Sequence, residues 1–552
     1  MRKLEKLSRH FFQPIDIMPL VFFRVVFGMI MIWEVWRYFH YDRIYRYYIE
    51  PEFYFSYYGF GWVQPLPPDG MVWLFLVLAF LAGCIALGAF YRLAMTLFFF
   101  AFTYIFLLDQ VQYLNHFYLI SLISFLMIFV PAHHKFSVDS LLKPELRSET
   151  ASLLSLWLIR GQLAIVYVYG GIAKINADWL RGEPMRMWLA ERTDFPLIGQ
   201  WFTEEWMVYA FSYGGLLFDL LIVPLILWKR TRILALILAA GFHLTNNHLF
   251  NIGIFPWLAL AGTLLFLPPS WFRFWQSLPS AEAKISIDRR KQFLLVATMF
   301  YFAIQILLPL RHFLFSGIVS WTEAGHTLAW HMKLRTKDGE TVFYASFPDG
   351  HTEVIVAENY LTNRQFSQMS DNPDMILRFA QYLSSLDAYQ ESEIRAWSMM
   401  SLNGRASQLM IDPTANLVTQ PIDLRADDWI LPLVQPAANA VTRPALLISR
   451  RENGILMLIN ITEAPFPLND LQLISGAETI TFDAEHIEVD ACLVVQQSSM
   501  DSNQIFPICN EASSRVTLSD TVDFWQTDFT IQYNAETFVC DEVVCFVTYP
   551  LE

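Results

Sequence analysis

The chain opens on apolar runs of about 20 residues, the length a hydrocarbon layer about 30 Å thick requires of a spanning helix. Nine such runs are centred on residues 19–38, 71–90, 94–108, 111–130, 153–173, 207–228, 233–250, 252–267 and 293–310. The third and eighth are short, which reads as a tilted or re-entrant segment. From Phe313 onward the runs shrink to strand length: 397–402, 454–459, 478–482 and 529–533 are separated by turn residues. That spacing predicts an antiparallel β-sandwich, barrel or jelly-roll-like fold. One helix is expected at 373–384, with Met375, Phe379 and Leu383 on a single face. The predicted fold class is a polytopic α-helical membrane bundle of about nine spans, residues 1–312, followed by an outer or lumenal β-rich domain.

Composition supports the division. Of 552 residues 55% are apolar and 16% charged, with a mean hydropathy of +0.35, which excludes disorder, a coiled coil and a secreted disulfide scaffold. Residues 1–312 carry 26 basic and 20 acidic groups, whereas 313–552 carry 12 and 32. Lys and Arg collect in cytoplasmic loops. Alternate loops here hold sixteen against six, which places the amino end inside and everything after His312 outside. The first apolar run is too long for a cleavable signal peptide and contains Arg24 and Glu34.

Four of the five cysteines, Cys492, Cys509, Cys540 and Cys545, fall in the outer region, where an oxidising compartment permits bridges. Four cysteines allow three pairings, and sequence does not choose among them. Cys540 and Cys545 could be half of a metal site, but no second pair at ligand spacing accompanies them, so no metal is expected. Asn460-Ile461-Thr462 is a formal glycosylation sequon, without meaning if the cell is a bacterium.

Ionisable and amide groups at membrane depth are costly and point to function. Here they are Asn115-His116, Arg160, Lys174, Asp219, His243 with Asn246, Asn247 and His248, and Arg311-His312. Most cap helices on the outer side, so a chamber opening into lipid is expected beneath the aqueous domain. Lys174 closes an apolar helix on the side that should be poor in Lys. An interfacial lysine can snorkel to water, but a buried one sheds its charge and becomes a free amine able to take a proton. His243 and His248, five residues apart, lie on different sides of a helix, which argues against a shared metal. Asn115-His116 fits helix packing through hydrogen bonds as well as catalysis.

These residues sit in motifs that resemble the vitamin K-dependent gamma-carboxylase family, especially its shorter bacterial, horizontally transferred transmembrane members. The matching stretches are Phe22-Phe23-Arg24-Val25-Val26-Phe27-Gly28, Phe106-Leu107-Leu108-Asp109 with Leu114-Asn115-His116, and Gly171-Ile172-Ala173-Lys174-Ile175-Asn176-Ala177-Asp178-Trp179. Others are residues 243–255, Leu308-Pro309-Leu310-Arg311-His312-Phe313, Trp321-Thr322, Trp397, 401–403, Arg405, 411–413 and 429–433. The resemblance runs from about residue 15 to 435, so it divides the outer region into an α+β segment, 313–435, and a β-rich domain, 436–552.

The resemblance implies a lyase of the carbon–carbon class. In that family a lysine deprotonates reduced vitamin K, a phylloquinone- or menaquinone-type naphthohydroquinone, and the anion reacts with O2. The strong base so formed takes a γ-proton from a peptidyl glutamate, the carbanion captures CO2, and the quinone leaves as its epoxide. By position, Lys174 matches the base, His116 and Asn115 a pair implicated in epoxidation, His312 a histidine of the carboxylation half, and Tyr167 and His243 quinone-pocket positions. Trp321, Trp330 and Arg405 match family positions and, with Arg335, which stands where animal members carry a His, are the residues expected on the substrate-binding side. Implied partners are the lipid bilayer, an isoprenoid naphthoquinone and a glutamate-containing peptide or protein, with no metal and no nucleic acid. The implied place is a bacterial inner membrane, or the endoplasmic reticulum if the cell is eukaryotic. Animal members carry a Tyr, a Ser and a His where this chain has His326, Ala329 and Arg335, and a Lys where it has Ala173. Quinone epoxidation is therefore better supported than glutamate carboxylation. The alternatives are an epoxidase without carboxylation, or a non-catalytic quinone- or lipid-binding or transport protein, although the repeat symmetry of transporters is missing.

Overall fold

A computed structural model describes residues 2–272, 288–423, 429–434 and, from 442 onward, a series of strands with a few flanking positions. The chain forms two units: Met1–Phe315 with Ala324–Leu334, and Ser316–Glu323 with Arg335–Glu552.

The first unit is helical. Its apolar helices are α1 (Met18–His40), α2 (Pro68–Leu87), α3 (Tyr91–Leu108), α4 (Asn115–Phe129), α5 (Leu153–Ala173), α6 (Glu205–Leu227), α7 (Arg232–Phe250), α8 (Phe255–Leu264) and α9 (Arg289–Leu307), the last continuing as a 3-10 turn to Leu314. Among the described residues seven are long and apolar enough to cross a membrane, and α4 and α8 are the shorter apolar pair. The chain is a multi-pass membrane protein. The short helices are thus the fourth and eighth rather than the third and eighth. The cause is Asp109, whose Oδ1 accepts from the backbone N–H groups of Val111 (3.0 Å) and Phe55 (3.3 Å). This cap holds Gln110–Gln112 in a 3-10 turn and delays α4 until Asn115.

Small residues let helices approach, as membrane packing demands. A Cβ on Gly28 of α1 would lie 2.7 Å from the backbone of α2 at Ala82 and Ala86. Pro68 starts α2, whose first N–H groups have no intrahelical partner anyway. Gly88, at φ +66°, ends it in the left-handed conformation that suits glycine. Phe80, Phe100, Ile237, Phe293 and Phe300 are exposed on the helices, which suits a lipid solvent.

The second unit contains an antiparallel sheet in the order Thr352–Ile355, Lys337–Ser346, Glu393–Leu402, Gln408–Leu409. Along Glu393–Leu402 the residues Ile394, Ala396, Ser398, Met400 and Leu402 are buried, the alternation a one-sided sheet requires. Helix α10 (Pro373–Ser384) buries Met375, Phe379 and Leu383 as the periodicity predicts, and Asn372 caps it. Beyond 442, a four-stranded and a two-stranded antiparallel sheet accompany a five-stranded one. Within the last, Cys492–Gln497 and Ser514–Leu518 run parallel, a departure from an all-antiparallel expectation. A parallel pair needs a connection longer than a hairpin, and the two strands stand well apart in sequence. Asn460 is buried and donates to the Ile487 carbonyl at 3.0 Å, so the sequon asparagine is a core hydrogen-bonding group. The side chains of Cys492, Cys509, Cys540 and Cys545 lie outside the described residues, and with them any pairing.

Candidate active site

The C-terminal end of α5 builds the centre of the site. Tyr167, Gly170, Gly171 and Lys174 recur at helical spacing and share one face. Two glycines in succession remove the side chains that would hold α6 away. A Cβ on Gly171 would lie 2.6 Å from Leu220, and one on Gly170 would lie 3.3 Å from Asp219 Oδ2. The close approach lets Lys174 Nζ reach Asp219 Oδ2 at 2.6 Å, while it also donates to the Gly170 carbonyl at 3.0 Å. Both side chains are at least nine-tenths buried. Asn176 then turns the chain. It caps the short helix Ala177–Leu180 through the Trp179 N–H (2.9 Å) and donates back to the Ala173 carbonyl. That turn sets the Trp179 ring 5.3 Å from Lys174 Nζ, a cation–π distance.

One turn before Gly170, Tyr167 Oη lies 2.9 Å from His243 Nε2 on α7 and 2.8 Å from Thr263 Oγ1 on α8. His243 is 1% exposed and its Nδ1 has no hydrogen-bond partner among the described residues. The Phe255 ring lies 6.1 Å from His243 and 5.9 Å from His116 on α4, so the two imidazoles flank one aromatic ring. His248 is exposed on another side of α7, as its spacing from His243 predicts.

The segment Ala324–Leu334 belongs to this helical unit and closes the group of residues. Trp330 is fully buried and stacks on Tyr118 with ring centroids 4.8 Å apart. Asn115 Nδ2 donates to the His331 carbonyl at 3.1 Å, and the Leu328 N–H donates to Tyr113 Oη at 2.9 Å. Arg311 donates to the Thr327 carbonyl. The His331 ring lies 4.8 Å from that of His312, whose Nδ1 is 2.8 Å from the Pro309 carbonyl. Met332 reaches over Gly170, where a Cβ would meet its Cε at 2.9 Å.

Lys174, Asn115, His116, Tyr167, His243, His312 and Trp330 therefore lie in one unit, tied by this network. Trp321, Arg335 and Arg405 lie in the other. Trp321 is fully buried there and its indole N–H donates to the Leu431 carbonyl at 2.7 Å. Arg335 pairs with Glu323 at 2.6 Å. Glu323 also accepts from the buried Lys337, which donates further to the carbonyls of Trp321 and Asp371. Burial pushes the Lys337 ammonium below its usual range, and Glu323 opposes that shift. Arg405 donates to the Leu402 carbonyl at 3.1 Å.

Sequence reading placed Asp219 among the costly polar groups without giving it a partner, since 45 residues separate it from Lys174. The free-amine expectation for Lys174 had accordingly left out a carboxylate at hydrogen-bond distance. Thr263 and His331 carried no signal at all.

A buried lysine–carboxylate pair, with imidazoles, an amide and aromatic rings in the same helical unit, has the groups to move a proton in a dry surround, where each charge counts for more than in water. No solved structure matches the chain. Two family models do: the HTTM domain over residues 12–271 and the vitamin K-dependent gamma-carboxylase lumenal domain over residues 290–436. These matches follow one another along most of the chain, and the protein belongs to the vitamin K-dependent gamma-carboxylase family.

Proposed function

We propose that the protein is a membrane enzyme that oxygenates a reduced naphthoquinone of the vitamin K type to its epoxide and couples this to γ-carboxylation of a peptidyl glutamate with CO2 and O2. The observation that carries the reading is the convergence of Lys174 with Asn115, His116, Tyr167, His243 and His312 inside one helical unit. In this reading the resting Lys174 ammonium first passes a proton to Asp219, 2.6 Å away, and the amine so freed takes the proton of a hydroquinone hydroxyl. His116 and the Asn115 amide hold the quinone oxygens, Tyr167 and His243 line the ring pocket, and His312 sits on the carboxylation side. The apolar helices admit an isoprenoid tail from lipid, and Trp330 with its segment helps exclude water that would quench a carbanion. The bacterial inner membrane, with the second unit outside, is the location proposed from loop charge.

A second reading, epoxidation without glutamate carboxylation, is favoured by His326, Ala329 and Arg335, where animal members differ, and by the engagement of Arg335 with Glu323. Purified protein in nanodiscs, given a reduced naphthoquinone, O2, labelled bicarbonate and a glutamyl peptide, tests both. Epoxide with label in the peptide is the expected result, and epoxide without label selects the second reading. No epoxide from folded protein with any naphthoquinone overturns both.

A further inference from the structure

Lysine has a four-carbon stem and a strongly hydrated head, so at the end of an apolar helix it reaches for water. Lys174, the C-cap of α5, does the opposite. Its Nζ turns back along the helix to the Gly170 carbonyl and across to Asp219 Oδ2, and the residue is 7% exposed. Asp219 is itself 6% exposed, and the paired glycines of α5 admit it. A carboxylate in the apolar face of a spanning helix is costly unless paired, and Lys174 is its partner.

We infer that Asp219 is the positioning residue that holds Lys174 turned into the bundle, against the pull of the aqueous surface. The inference rests on the proposed role of Lys174 as base, and gives the reason why that base is turned toward the interior of the bundle. Without the Asp219 charge the ammonium has no counter-charge inside, and its nearest favourable place is the water beyond α5.

The test compares wild type, Asp219→Asn, Asp219→Glu and Lys174→Ala in nanodiscs with two readouts. The first is modification of Lys174 by a water-soluble, membrane-impermeant amine reagent, followed by peptide mass spectrometry. The second is the kcat and KM of naphthoquinone epoxide formation. Asp219→Asn should label at Lys174 about tenfold or more faster than wild type. Its kcat should fall on the order of 100-fold with little change in KM, since the base is displaced and the quinone pocket is intact. Asp219→Glu should keep Lys174 protected and retain part of the activity. Protection of Lys174 in folded Asp219→Asn, or wild-type kcat there, overturns the inference. If Asp219→Asn does not fold, the Glu variant decides, because a freely labelled Lys174 or activity no better than Lys174→Ala overturns it equally. Full epoxide activity in Lys174→Ala would instead remove the proposed base, while the labelling readout still judges the positioning.

Discussion

At the scale of single residues, buried polar groups hold each other in place. Tyr167 bridges His243 and Thr263 across three helices. Tyr167→Phe should lower stability by about 1–2 kcal/mol, since it leaves the buried His243 and Thr263 groups without their shared hydrogen-bond partner, and thermal unfolding in detergent would read this. Outside the spans, His133 is packed against Tyr91 at 4.9 Å. Burial first, then His134 and Arg92, push its pKa from 6.5 down to about 4. The unfolded chain therefore binds the proton at a higher pH than the folded one, and stability from this group is present above 6.5 and lost as pH falls toward 4. His133→Gln should flatten the pH dependence of Tm in that window, and an unchanged slope would remove His133 as its cause. Lys174 was legible at this scale because a lysine ending an apolar helix is unusual in itself. Its partner was not, because a carboxylate on another helix leaves no mark in the local pattern.

At the scale of elements, the length of apolar runs located each of the nine apolar helices among the described residues, including 153–173 at both ends, because hydrophobic length is what a bilayer selects. The start of α4 was missed by four residues, since Asp109 works through capping rather than hydropathy. The segment 324–334 has neither helical nor strand periodicity, and its place in the helical unit was invisible. Its anchor is Trp330. Trp330→Ala should cost about 3–5 kcal/mol for the lost volume and the stacking on Tyr118. Hydrogen exchange should then rise in the segment before it rises in α5 or α6, and uniform exchange throughout the unit would deny it a role as a separate closure.

At the scale of the whole molecule, a helical unit is joined to a β-containing unit of opposite charge balance. Residues 313–552 hold 32 acidic against 12 basic groups, so long-range attraction favours a neutral or basic peptide over a strongly acidic one. Peptide binding measured at low salt should show that preference, with the difference shrinking as salt is added. Tighter binding of acidic peptides at low salt would contradict it. Charge and strand length were readable without a structure, whereas the parallel pair near Ser514–Leu518 depends on a crossover that no local pattern announces. The central claim is that Lys174 is the base of a quinone-oxygenating membrane enzyme. Its most direct test is epoxide formation from a reduced naphthoquinone by folded wild type and folded Lys174→Ala under the same oxygen. The account predicts epoxide from wild type and a loss of several orders of magnitude in the variant, and equal epoxide from the two proteins would contradict it.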